Sequence, residues 1–94
     1  MQIRWTIGAN KNLQQVEEYI AQDNLVAVLD TIDKILAAVT VLQEHPQIGR
    51  PGRVVGTREL IVANTPYIVP YRVHQNVIEI LRVLHGSMIW PEKF

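Results

Sequence analysis

The feature that most constrains this chain is a change of hydrophobic period at Pro46. Before it, Leu25, Val28, Leu29, Ile32, Ile35, Leu36, Val39 and Leu42 recur at steps of three and four, which is one apolar stripe along about five helical turns. Proline disfavours the helical conformation in the residue before it, so the helix must end ahead of Pro46. After it the period is two. Residues 58–63, 67–74 and 77–85 each alternate apolar and polar side chains, as half-buried strands do. Asn64-Thr65-Pro66 and Gln75-Asn76 separate them, links short enough for hairpins.

The remaining N-terminal segment completes the pattern. Gln2-Ile3-Arg4-Trp5-Thr6-Ile7 alternates and reads as a first strand; from Asn10 onward, Leu13, Val16, Tyr19 and Ile20 define a shorter helix. Asp23 and Asn24 interrupt it, and either is a suitable cap for the helix that follows. The order is β-α-α-β-β-β, a helical hairpin on a small, mainly antiparallel sheet: an α+β domain spanning residues 1–94. Pro70 cannot donate to a ladder, so its nitrogen is expected to face away from a paired neighbour.

Composition narrows the classes of function. With no cysteine in 94 residues there are no disulfides or thiolate metal sites, and no histidine spacing suggests a metal centre. Neither a leader nor a bilayer-spanning run is visible, so a cytoplasmic protein without membrane or cofactor is expected. The net charge is zero but unevenly placed. Residues 1–44 carry three basic and six acidic side chains, and residues 45–94 carry six basic and three acidic ones. Such a split points to two surfaces with different partners.

Five of the six arginines fall in the second half. Gly49, Gly52 and Gly56 do not match a nucleotide-binding fingerprint, because no Gly-Lys-Ser/Thr follows and the stretch leads into a strand; they read as turn residues. Arginine's planar fork suits phosphate oxygens. If the last two strands pair tightly, Arg72 and Arg82 come close and Arg58 joins them. That would make a cationic site for a nucleic-acid backbone or a reacting phosphate, with Arg50, Arg53 and Trp90 beside it. His85 near such a site has the pKa range of a general acid or base. The competing assignment is local pairing, Arg58 with Glu59 or a helix carboxylate and Arg82 with Glu79.

The ordered set His45-Pro46, Gly49-Arg50, Gly52-Arg53, Gly56-Thr57-Arg58-Glu59-Leu60, Pro66-Tyr67-Ile68-Val69, Tyr71-Arg72-Val73, Ile80-Leu81-Arg82-Val83-Leu84-His85 and Trp90-Pro91 resembles the RelE/ParE superfamily of bacterial type II toxin–antitoxin toxins, its ParE-like branch in particular. Trp5-Thr6, Leu13, Tyr19-Ile20-Ala21 and Asp23-Asn24 extend the resemblance over nearly the whole chain. It implies the same β-α-α-β-β-β fold and a cognate antitoxin laid against the helical hairpin, for which Leu13, Val16, Ile20, Leu29 and Leu36 are the candidate contacts, in a toxin–antitoxin hetero-oligomer. It leaves three activities open. The first, favoured by the "GTREL" and "RVLH" pieces, is inhibition of DNA gyrase, with no catalysis by the toxin itself. The second is ribosome-dependent, metal-independent cleavage of mRNA, with Arg58, Arg72 and Arg82 neutralising the scissile phosphate and His85 moving a proton. The third is an inactive member that only binds antitoxin. The chain departs from the family pattern at Gly8, Asn12 and Leu25, which is expected to weaken the first helix and its junctions.

Overall fold

The computed structural model describes residues 1–22 and 24–94. Strand β1 (Gln2–Trp5) leads directly into helix α1 (Ile7–Ala21). Thr6 caps that helix by accepting from the Ala9 N–H, so α1 starts three residues earlier than its apolar period suggests. Helix α2 (Leu25–Val41) is capped by Asn24, whose side chain accepts from the Val26 and Ala27 N–H groups. Asp23, the other expected cap, lies outside the described residues.

Four antiparallel pairings and one parallel pairing build the sheet. Its strands are β2 (Arg50–Pro51), β3 (Arg58–Ile61), β4 (Tyr67–His74), β5 (Val77–Ile80) and β6 (Leu84–His85), in spatial order β1-β5-β4-β3-β2, with β6 also on β4. Strand β1 runs parallel to β5, a pairing that requires the long connection through the helices and the intervening strands. The β4–β5 turn is Gln75-Asn76, both at positive φ, which matches the right-handed strand twist.

One face of the sheet packs on the helices. Leu60, Val69, Tyr71, Ile78 and Ile80 meet Ala9, Val16, Ile35, Val39 and Leu42 in a single core. Among the described residues no helix covers the other face.

The strands differ from the sequence reading: the first ends at Trp5 rather than Ile7, which opens α1, and β3 ends at Ile61 rather than at residue 63. The short β2 falls inside the glycine–arginine stretch read as turns. The expected strand 77–85 is broken at residues 81–83, and Pro70 supplies the reason. Its carbonyl accepts from the Leu81 N–H at 2.9 Å, so its nitrogen faces the same neighbour and has no proton to return. The Leu81 carbonyl is taken instead by the Thr6 hydroxyl at 3.2 Å and the Arg82 guanidinium at 2.7 Å. Asn12 Oδ1 then accepts from the freed Val83 N–H at 3.1 Å, and the chain rejoins β4 as β6.

Candidate functional site

Strand register decides where the arginines go, because directly paired residues share a face. Arg58 pairs with Tyr71, which points into the core, so Arg58 lies on the helical side of the sheet. There its guanidinium donates to the Gly49 carbonyl at 2.7 Å and to the Gln47 carbonyl at 3.3 Å. The Tyr71 hydroxyl works beside it, donating to the Pro46 carbonyl at 2.8 Å and accepting from the Gly49 N–H at 2.9 Å. Burial pushes the Tyr71 phenol above its ordinary pKa, against the opposing pull of the Gly49 N–H and the Arg58 charge. Arg58 and Tyr71 together fasten the loop that carries Arg50 and Arg53.

Arg72 pairs with Glu79 and Glu79 with Arg4, so all three stand on the helix-free face. Glu79 takes an ion pair from Arg4 and a hydrogen bond from Arg72 Nε at 2.6 Å. A second cluster repeats this arrangement. Glu59 accepts from Arg50 Nε at 3.0 Å and from the Arg53 backbone N–H at 2.8 Å, with Arg53 Nε at 3.7 Å. The Arg53 guanidinium lies 3.7 Å over the Trp90 ring, a cation–π stack. The Trp90 indole N–H is buried without an acceptor.

The three sheet arginines therefore do not gather on one surface. Arg58 is on the helical side, Arg72 is opposite, and Arg82 is turned back at the ladder break, lying 5.7 Å from the Phe94 ring and beside Gly8, where any Cβ would overlap its guanidinium. Local pairing also follows other partners than expected. Glu59 holds Arg50 and Arg53 rather than Arg58, and Glu79 holds Arg4 and Arg72 rather than Arg82. His85 is tied to its own turn, its Nδ1 lying 2.7 Å from the Ser87 hydroxyl and edge-on to Tyr67. Trp90 offers no open face on the side covered by Arg53. Arg4 escaped the sequence reading because its face is set by a parallel pairing between strands more than seventy residues apart.

The helical side divides differently from the expectation. Val16 is buried, and Leu13 and Ile20 pack against the core. Leu29 and Leu36 are exposed, together with Leu25 and Val26. The stripe on α2 is wider than the sheet can cover: Val28, Ile35 and Val39 turn inward and the leucines remain outside. Between α1 and β6 runs a mainly apolar groove of about 470 Å³, bordered by Val16, Tyr19, Tyr67, Leu84, His85 and Met88. Among the described residues no group of three or more His, Asp or Glu could hold a metal ion, and no helix is long and apolar enough to cross a membrane.

Comparison with known proteins places this geometry. Residues 3–90 match the model of the ParE toxin of the type II toxin–antitoxin system parDE. The Y4kP protein of Sinorhizobium fredii, a candidate toxin by its description, is 44% identical over 90 residues, covering 96% of this chain and 93% of that one. Toxin RelE2 of Caulobacter vibrioides is 30% identical over 88 residues, covering 94% and 98%. Among solved structures, a chain of the chromosomal ParDE system from P. aeruginosa superposes with a TM-score of 0.81 at 30% identity, over 90% of this chain and 95% of that one. A chain of the RelBE2 toxin–antitoxin complex from Mycobacterium tuberculosis gives 0.58 at 28% identity, over 89% and 95%. The chain belongs to the ParE toxin family of type II toxin–antitoxin systems.

Proposed function

We propose that this toxin arrests growth by binding DNA gyrase and holding it in an inhibited state, and that a cognate antitoxin neutralises it by covering the helical side. The observation that carries the reading is the dispersal of the groups an mRNA-cutting site would need. Arg58 is spent on loop carbonyls, Arg72 stands on the opposite face, and the His85 Nδ1 is engaged by Ser87. A proton-transfer group and its phosphate clamp must converge on one bond to act. A binding toxin needs only a surface.

The antitoxin contacts on this reading are the exposed Leu29 and Leu36, with Leu25 and Val26, and the groove beside Tyr19. Val16, Leu13 and Ile20 support that surface from beneath. An amphipathic segment laid over these positions would bury the apolar area that α2 leaves outside. The solved relatives described as a ParDE system and a RelBE2 complex support such a partner.

The test is supercoiling by purified gyrase with the toxin added. Loss of supercoiling, or a trapped cleavage complex, is expected. Unchanged supercoiling with no trapped complex overturns the reading. The likeness to Toxin RelE2 keeps ribosome-dependent mRNA cleavage as the second reading. It requires cut message in translating ribosomes and loss of growth arrest in His85→Ala, whereas the gyrase reading expects that variant to remain toxic.

A further inference from the structure

We propose that the helix-free face of the sheet binds the phosphodiester backbone of duplex DNA directly, without reading its sequence. This goes beyond the gyrase reading and does not depend on it.

Four guanidinium groups stand on that face, from Arg4, Arg72, Arg50 and Arg53, and each is ion-paired with a carboxylate. The carboxylates are sunk in the sheet, with side chains 6% exposed at Glu79 and 3% at Glu59, while the four arginine side chains are 46–60% exposed. An approaching polyanion meets the cations first. Arg4, Arg72 and Arg50 each use one or two of their five N–H donors on a carboxylate and keep the rest for phosphate oxygens, while the Arg53 guanidinium only approaches Glu59, at 3.7 Å, and keeps its donors free of it. Four arginines against two glutamates leave the cluster net positive; Lys93 borders the same cleft as Arg72, with the exposed Glu92 beside it in the chain offsetting its charge.

Placement across the sheet favours an extended partner. Arg4 is on β1, Arg72 on β4 and Arg50 on β2, which are the first, third and fifth strands in spatial order. At about 4.8 Å per strand the array spans roughly 19 Å, close to the width of a DNA duplex. A rigid array suits a rigid duplex. Single-strand binders instead rely on open aromatic platforms, and here the Trp90 face is already occupied by Arg53. The acidic side chains Glu17, Glu18, Asp30 and Asp33 on the helices, and Glu44 in the turn after α2, lie on other elements and are exposed there.

Each carboxylate has two arginines, so one can be removed from each cluster without leaving a buried charge unpaired. Arg4→Ala/Arg53→Ala keeps the Arg72–Glu79 and Arg50–Glu59 contacts. The experiment is fluorescence anisotropy of a labelled 20-base-pair duplex titrated with the full-length toxin between about 50 and 200 mM salt. Four phosphate contacts predict a slope of log K on log salt of about −3.6, or about a 100-fold loss over that range. The double variant should show about half the slope and about a tenfold loss. Arg4→Gln/Arg53→Gln serves if the alanine pair unfolds. A labelled single-stranded RNA of equal length is the second arm. Absent duplex binding at 50 mM salt, a slope near zero, an unchanged slope in the double variant, or tighter binding of the RNA would each overturn the proposal. Gyrase is absent from the assay, so its failure leaves the supercoiling test untouched.

Discussion

Tyr71→Phe isolates what one buried hydroxyl contributes. The ring is fully buried and the substitution keeps its volume, so no cavity is made. What disappears is a pair of hydrogen bonds, Tyr71 Oη to the Pro46 carbonyl at 2.8 Å and Gly49 N–H to Tyr71 Oη at 2.9 Å. The Gly49 N–H has no room for a replacement acceptor or water. A methyl-sized group at Gly49 would already sit 2.6 Å from the Tyr71 ring. An orphaned buried donor costs about 1–3 kcal/mol, and the half-buried Pro46 carbonyl adds less because solvent reaches it. We expect about 2 kcal/mol in total, against roughly 5–14 kcal/mol for a chain of this length. In a domain this small that is a fall in Tm of about 8–16 °C. Urea unfolding should show a lower midpoint with an unchanged m-value, since the exposed area is the same. The alkaline limb gives a second reading. The folded-state pKa of Tyr71 is raised, so its contribution is intact below the unfolded value of about 10 and is lost as pH rises beyond it. The phenylalanine variant should lose less stability over that window than the wild type. A loss below about 0.5 kcal/mol near pH 7 would refute the view that this hydroxyl anchors the arginine-bearing loop.

Asn12→Ala removes the acceptor for the Val83 N–H at the ladder break and should cost about 1–2 kcal/mol by urea unfolding, whereas Asn12→Asp, which keeps an acceptor oxygen, should cost less than half as much. Val16→Ala and Leu29→Ser separate support from contact. The first removes buried methyls and should cost about 2 kcal/mol of stability. The second alters a side chain that is 61% exposed, should leave Tm within a few degrees, and should weaken antitoxin binding by about tenfold in a calorimetric titration, or about 1.4 kcal/mol.

The sequence made the helices and the strand alternation legible because both depend on neighbours along the chain. Alternation within 67–74 puts Arg72 on one face with Ile68, Pro70 and His74, and the tyrosines on the other. That grouping holds in the structure, where Arg72 pairs with Glu79 and Tyr71 with Ile80. Alternation does not say which face of one strand meets which face of the next. Register does, and pairing Arg58 with Tyr71 and Arg72 with Glu79 puts the two arginines on opposite sides. Arg82 was harder still. Its position follows from a proton that Pro70 lacks on the neighbouring strand, a cause ten or more residues away. The width of the apolar stripe on α2 is visible in the sequence, but its excess becomes meaningful only in the fold, where Ile35 and Val39 join the core with the sheet, Val28 is buried, and Leu25, Leu29 and Leu36 stay outside.

The departures at Gly8, Asn12 and Leu25 bear on whether this copy still acts as a toxin, because they suggested weakened junctions around α1. Each has a place in the structure. Gly8 leaves the space that the Arg82 guanidinium fills, and Arg82 in turn takes the carbonyl that Pro70 cannot serve. Asn12 supplies the acceptor for the next N–H along the same break. Leu25 opens α2 immediately after the Asn24 cap and belongs to the exposed leucines. Two of the three sites thus act on one defect in the sheet, and both helices keep side-chain caps at their starts. Growth arrest on induction without antitoxin is the expected phenotype, and unimpaired growth of the induced cells would favour the inactive member that only binds antitoxin.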